Sequence, residues 1–431
     1  MIEVIGAGLA GCEAAFYLAE HGQKVRLYDI KPNAFTPAHT DKNFCELVCS
    51  NSLKGADPYS NACGLLKEEM RILGSVTMEA AEVSRVPAGG ALAVERGEFA
   101  KFVTDKIRSH KNIEVVGKEV EKVPAEWAIV ATGPLTTAAL SGDISSICGG
   151  QLKFFDASAP IVSRESLDFS RCFAGDRYGR GGDDYLNCPL TKEEYETFLG
   201  ELLAAERVEL REFEKGEIFE GCMPVEVLAS RGRDSLRFAM LKPVGLRDKD
   251  GNKFYAVLQL RKENVAGSAY NLVGFQTNLK FPEQKRVFSL IPALKNAEFL
   301  RYGVMHANAY INSPACLSVD GSLKSRPTVF FAGQITGVEG YVESAASGII
   351  AAISCLKKLA GEKFSPPPAD TVLGALSRYI CAENKNFQPM NANYGLLPPL
   401  EKSVRDKHLR YRLLSERAVE SMRIYKENLK L

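Results

Sequence analysis

Ile2-Glu3-Val4-Ile5-Gly6-Ala7-Gly8-Leu9-Ala10-Gly11 opens the chain, and its reading decides the fold. An apolar strand runs straight into three glycines spaced G-x-G-x-x-G, and an Ala-rich helix follows to about His21-Gly22. In that spacing the first glycine permits a tight turn, the second lets a pyrophosphate approach the backbone, and the third lets the helix pack closely on the strand. The helix N-terminus then faces the anion. The pattern gains weight from Lys24-Val25-Arg26-Leu27-Tyr28-Asp29, a second strand whose closing carboxylate can accept a ribose hydroxyl. Residues 1 to 31 thus predict a βαβ unit in which Gly6, Gly8, Gly11 and Asp29 bind a dinucleotide. The competing reading is a packing turn without a ligand.

Two further segments extend this unit. Trp127-Ala128-Ile129-Val130-Ala131 runs into Thr132-Gly133-Pro134, and Thr328-Val329-Phe330-Phe331-Ala332 runs into Gly333-Gln334 and a small-residue helix from Glu343 to about Leu359. Strands so far apart, each ending in a glycine turn, predict one α/β sheet of the Rossmann-like kind, interrupted by an insertion. The expected division is a discontinuous dinucleotide-binding domain, residues 1–189 and 305–431, around an α+β insertion at 190–304. Thr132, Gly133, Gly333 and Gln334 are expected at the cofactor. No second G-x-G-x-x-G sits between a strand and a helix, so one tightly held cofactor is favoured over separate flavin and nicotinamide domains. The strand ending in Gly333 is similar to a late flavoprotein signature in which the next residue, usually Asp and here Gln334, meets the ribityl chain. That favours FAD over NAD.

Composition narrows the function classes. The 431 residues carry 54 Lys+Arg against 53 Asp+Glu, which excludes a polycationic coat for nucleic acid and confines any RNA contact to a local patch. One such patch is the helical segment 401–431, with nine Lys/Arg against five Asp/Glu, beyond a linker at Pro366-Pro367-Pro368. Tyr411 and Tyr425 interleave its cations. Arg231 and Arg233 form a second basic run. No apolar run is long enough to span a bilayer, and no basic flank with an apolar region opens the chain, so neither membrane insertion nor export is expected. The 11 cysteines are too sparse for a disulfide scaffold and odd in number, which suits a reducing cytoplasm with a free thiol. No zinc-type spacing occurs, and no metal is expected.

Cys49, in Glu46-Leu47-Val48-Cys49-Ser50-Asn51-Ser52-Leu53, and Cys222, in Phe219-Glu220-Gly221-Cys222-Met223-Pro224-Val225-Glu226, stand among polar, loop-forming residues where a thiol can be reactive. Cys45 and Cys49, spaced C-x3-C, read either as a redox pair or as two rungs of a helical face. The stretch Arg301 to Pro314 is dense in aromatic and hydrogen-bonding groups around His306 and Asn308. It suits a planar heteroaromatic ligand, or else a loop fixed by its own Asn and Ser bonds.

Taken together, Val4 to Gly11, Thr36-Pro37-Ala38-His39, Glu46 to Leu53, Gly64-Leu65-Leu66-Lys67-Glu68-Glu69-Met70, Arg85 to Val94, Phe219 to Glu226, Leu241-Lys242-Pro243-Val244-Gly245-Leu246, Tyr270 to Asn278 and Gly337-Val338-Glu339-Gly340-Tyr341-Val342-Glu343-Ser344 resemble the bacterial folate- and FAD-dependent tRNA (uracil-5-)-methyltransferases, over nearly the whole chain. The resemblance implies a flavoprotein fold of the GidA-related type. It implies methylation of uridine C5 in the T-loop of tRNA, with the carbon drawn from methylenetetrahydrofolate, carried on flavin N5 and reduced with electrons from NAD(P)H. Such chemistry needs a thiolate adding at C6 and a base for the C5 proton. The resemblance assigns the first role to Cys222 and makes Cys49 the candidate for the second. It also sets His306 against the folate pteridine and Tyr341 beside the flavin ring. The sequence departs from the family at Ala307, which replaces the arginine of His-Arg-Asn, at Cys45, and at Phe238-Ala239-Met240 in place of Phe-Gly-Pro. Two alternatives accompany this reading: the same chemistry on ribosomal RNA, and an NAD(P)H-dependent flavin/thiol oxidoreductase without RNA, in which Cys45 and Cys49 cycle.

Overall fold

The computed structural model describes residues 1–36, 38–179, 182–208, 217–218, 223–384 and 387–430; the side chains of 153–156, 217–218, 306 and 307 lie outside this set. Strand β1 (Ile2–Ile5), helix α1 (Leu9–Glu20) and strand β2 (Val25–Asp29) form the opening βαβ unit. β1 and β2 pair in parallel from Ile2 opposite Val25 to Ile5 opposite Tyr28. The sheet they start has five parallel strands in the order Val329–Phe331, Ala128–Val130, β1, β2, Ile113–Gly117. Its outlying strands Ala128–Val130 and Val329–Phe331 are buried throughout, which is why they read as continuous apolar runs rather than alternating ones. Strands distant in sequence thus share one α/β sheet, as the glycine-turn pattern predicted.

The small residues of α1 let it lie directly against the helix Tyr341–Leu359: a Cβ on Gly348 would run into the Ala10 carbonyl. The helix Ala62–Leu73 is capped by Asn61, whose side chain accepts from Gly64 N, and ends at Gly74 in the left-handed region. From it the buried Glu69 accepts the backbone N–H groups of Val372 and Leu373, each at 2.8 Å, docking the helix Val372–Tyr379; burial pushes its carboxyl up to about 8. The C-terminal helix Lys407–Leu429 buries Leu414, Ala418, Val419, Met422 and Tyr425.

A second core lies around an antiparallel sheet of six strands, ordered Phe173–Ala174, Tyr185–Leu190, Ala256–Lys262, Ala269–Leu272, Ile161–Ser163, Phe299–Arg301. Three of these precede or overlap residue 190, so this sheet draws on chain ahead of the expected insertion. Its apolar cluster, with Tyr195, Phe198, Phe275 and Phe288 fully buried, is separate from that of the parallel sheet. The helix Lys192–Ala204 starts in a capping box of Thr191 and Glu194. Gln151–Ala157 and Met305–Ile311, paired antiparallel, carry the chain between the two cores. Among the described residues no helix is long and apolar enough to cross a membrane.

Candidate active site

The glycine turn and the thiol loop open on one cleft. Gly6, Gly8, Asp29, Cys49, Thr132, Gly133, Asn308, Gly333, Gln334 and Tyr341 all line it. Gly6 sits at φ +96°, and a Cβ there would stand 2.6 Å from the Ala131 carbonyl oxygen, so only glycine closes this turn. A Cβ on Gly11 would run into the Gly6 carbonyl; that glycine serves packing and does not line the cleft. At Gly8 a Cβ would meet nothing within 4 Å. No protein atom explains this second glycine of the motif, and the space it keeps clear fronts an α1 N-terminus without a side-chain cap. That is the cradle a pyrophosphate requires.

Asp29 was expected to receive a ribose hydroxyl. In the structure Oδ2 accepts Ala7 N–H at 2.7 Å and Oδ1 accepts Lys31 N–H at 2.9 Å, so the carboxylate also pins the glycine turn to the end of β2. Each oxygen keeps a second lone pair toward the cleft. On the far side, the Thr132 hydroxyl lies 2.6 Å from that of Thr136, Gly333 N–H donates to Ser347 Oγ at 2.7 Å, and Gln334 Nε2 donates to Glu339 at 2.6 Å. Further lining residues that the sequence did not mark as cofactor contacts include Lys31, bonded to Glu46 at 3.0 Å and to the Asn43 carbonyl at 2.9 Å; Glu46 itself; and His39, 2.6 Å from Thr36 Oγ1 and held below the usual histidine range by burial. Their sequence carries no regular period, and only the assembled loop brings them together.

Cys49 is half-buried. Its N–H donates to Tyr341 Oη at 2.8 Å, and its Sγ lies 3.0 Å from the same oxygen. Burial pushes the Tyr341 hydroxyl well above the ordinary tyrosine value, so it stays protonated and its own hydrogen can point at sulfur. Cys45 takes a different place: it is buried beneath the glycine turn, donates from its backbone to the Ala7 carbonyl at 3.1 Å, and meets the Cys12 thiol. The C-x3-C spacing is thus divided between two environments, one against Cys12 and one against Tyr341.

Cys222 lies outside the described residues. His306 stands opposite Asp156 in the strand Met305–Ile311, its side chain likewise outside them, and Asn308 in the same strand is buried at the cleft. Of the basic C-terminal residues, Arg417 donates to the carbonyls of Pro398 (2.6 Å) and Pro399 (3.1 Å), and Tyr425 is buried with its hydroxyl on the Ser365 carbonyl; both hold the helix down rather than face a partner. Arg405, Lys407, Arg412 and Arg423 are exposed. Among the described residues no group of three His, Cys, Asp or Glu side chains could hold a metal.

Comparison with known proteins fits this geometry. Residues 1–363 match the family model described as glucose inhibited division protein A. A protein of Acetivibrio thermocellus named methylenetetrahydrofolate--tRNA-(uracil-5-)-methyltransferase TrmFO is 54% identical over 430 residues, covering 99% of this chain and 98% of its own. One of the same name from Staphylococcus carnosus is 51% identical and covers 100% of this chain. The chain belongs to the GidA family and, within it, to the TrmFO methyltransferases. The fold is shared more widely: Aquifex aeolicus GidA superposes with a TM-score of 0.70 at 15% identity, over 99% of this chain and 75% of that one. Among the quoted TrmFO-like strings, those around Gly8, Cys49 and Tyr341 converge on the cleft.

Proposed function

We propose that this chain methylates C5 of a uridine in tRNA, with methylenetetrahydrofolate as carbon donor, FAD in the cleft and NAD(P)H as the source of electrons. The observation that carries the reading is the meeting of a pyrophosphate cradle at Gly8 and a tyrosine-bonded thiol at Cys49 on one cleft, in a chain of the TrmFO family. Gly6, Gly8, Asp29, Thr132, Gly133, Gly333, Gln334 and Tyr341 would hold FAD, with Gly11 seating the helix that faces it. Bound FAD supplies the redox chemistry that turns the folate carbon into a methyl group. His306 and Asn308 would hold the folate.

The protein's own groups handle the uracil. The Cys222 thiolate adds to C6, which makes C5 nucleophilic; after C5 takes the carbon, Cys49 Sγ removes the C5 proton, and the C6–S bond breaks to restore the ring. Tyr341 Oη, hydrogen-bonded to Cys49, orients that sulfur and lies within reach of its proton. The uridine must leave its stack to arrive there. Because strands from Ile161 to Leu190 lie in the antiparallel sheet, we place the start of the insertion ahead of residue 190, within a dinucleotide-binding domain made by the two ends of the chain, and the working compartment in a reducing cytoplasm.

The test is incorporation of label from methylenetetrahydrofolate into uridine C5, with NADPH, on unmodified tRNA and ribosomal RNA transcripts side by side. Label in tRNA is expected. Label only in ribosomal RNA would move the substrate, and flavin reduction without label in either would favour the oxidoreductase. Cys222→Ala is expected to abolish the covalent RNA adduct while keeping FAD.

A further inference from the structure

We propose that Arg96, braced by Glu263, is the positioning residue of the Cys49 thiol, tying the loop that carries it to the antiparallel core. Arg96 opens the helix Arg96–Ser109. Its Nη1 donates to the carbonyls of Leu47 (2.6 Å) and Val48 (3.1 Å), while Nε and Nη2 fork onto the Glu263 carboxylate at 2.9 and 3.3 Å. The pair is sheltered, with side-chain exposures of 17% and 8%. Glu263 directly follows the strand Ala256–Lys262, and that strand grips the other side of the loop. Arg261 donates from Nε to Asn51 Oδ1 and from Nη2 to Ser50 Oγ, both at 2.9 Å, and Asn51 Nδ2 donates to the Lys262 carbonyl at 3.0 Å. Leu47, Val48, Ser50 and Asn51, two residues on each side of Cys49, are therefore all bonded to one of two arginines. A loop otherwise free to swing holds its sulfur against Tyr341 because the second core holds the loop.

The arrangement is electrical as well as mechanical. Among the described residues, the ionisable groups facing Cys49 include the Tyr341 hydroxyl from the helix Tyr341–Leu359, the Arg96 guanidinium, and the Arg301 guanidinium from the strand Phe299–Arg301, with Glu263 behind Arg96. Two cations favour the thiolate, and Glu263 offsets one of them. A clamp that only stabilised the fold would be indifferent to the sign of these charges.

The proposal rests on Cys49 as a proton-handling thiol, and its test does not depend on methyl transfer. The FAD-loaded protein, without RNA or folate, is alkylated with iodoacetamide from about pH 6 to about pH 10, and modification of the Cys49 peptide is followed by mass spectrometry. Glu263→Gln leaves the Arg96 cation unopposed and is expected to move the midpoint down by about half a pH unit; Arg96→Met removes the cation and is expected to move it up by about as much. Arg96→Lys, which keeps the charge and loses the fork, is expected to restore the midpoint while kcat for tRNA methylation stays down roughly tenfold at unchanged KM. Midpoints that stay put, or move the same way in both charge variants, overturn the proposal. If Arg96→Met does not retain FAD, Glu263→Gln decides alone: an unmoved or raised midpoint sinks it. Failure of the underlying reading appears elsewhere, as a Cys49→Ala protein that still methylates tRNA.

Discussion

The glycine turn and the thiol loop border the same cleft but are built by opposite means. The turn is made of backbone: Gly6, Gly8 and Gly11 set its shape, and one carboxylate 22 residues away, Asp29, fastens it. The loop at Cys49 is held chiefly by side chains, with Arg96, Arg261 and Tyr341 reaching in from three other parts of the chain. A site made of backbone is damaged by adding atoms, and a site made of side chains by removing them. The two regions should therefore fail differently, and cofactor retention should separate from thiol behaviour.

The strongest way to break this comparison is Gly11→Val. Branched carbons against the Gly6 carbonyl should cost about 3 kcal/mol or more, lowering the thermal midpoint and emptying the protein of flavin absorbance; a stable yellow protein would show that the turn yields. Next comes Arg261→Met, which removes the donor of Asn51 Oδ1 and leaves Ser50 Oγ with the Ser52 N–H alone. A loss of about 2 kcal/mol is expected, with flavin content unchanged and Cys49 alkylated faster. Flavin loss in that variant would mean that the two regions are one unit. Gly8→Ala sharpens the other side. Its Cβ enters the open cradle and touches no protein atom, so unfolding of the cofactor-free protein should shift by no more than about 0.5 kcal/mol, while FAD affinity falls about tenfold or more. Tyr341→Phe removes the acceptor of the Cys49 N–H, at about 1 kcal/mol; slower methyl transfer at unchanged flavin content is the expected result in single-turnover assays. The smallest effect belongs to neither region. Removing the exposed cations Arg405 and Lys407 together should reduce the salt slope of tRNA binding by about 2 if both meet phosphate, and leave the rate at saturating tRNA alone.

What the sequence disclosed follows the same division. The spacing of Gly6, Gly8 and Gly11, and the apolar runs ending at Thr132 and Gly333, are local signals of backbone geometry, and the parallel sheet formed as they indicated. The helix Lys192–Ala204 was legible through its charged first turn. Cys45 was not placed by spacing, because C-x3-C does not reveal that the chain turns under Ala7 between the two thiols. The short strands Ile161–Ser163 and Phe173–Ala174 escaped for want of a period long enough to read, and so the second sheet begins earlier than its composition suggested. Tyr425 stands among cations in the sequence, yet its ring packs into the core while Arg423 beside it is exposed. Arg96 and Glu263 carried no signal at all: an arginine at a helix start and a glutamate after a strand are ordinary until folding brings them together.

The separation of Asn51 and Arg261 by 210 residues also orders events in time. A ribosome delivers the glycine turn first and the gripping arginine long afterwards, and contacts of such span are the slow ones to form. Until the antiparallel sheet is in place, the Ser50–Asn51 side of the Cys49 loop is unheld, and the sulfur is open to any oxidant nearby. The nascent chain therefore carries the Cys49 sulfur unguarded through nearly half of its synthesis, and the same arginine that completes the loop ends that exposure.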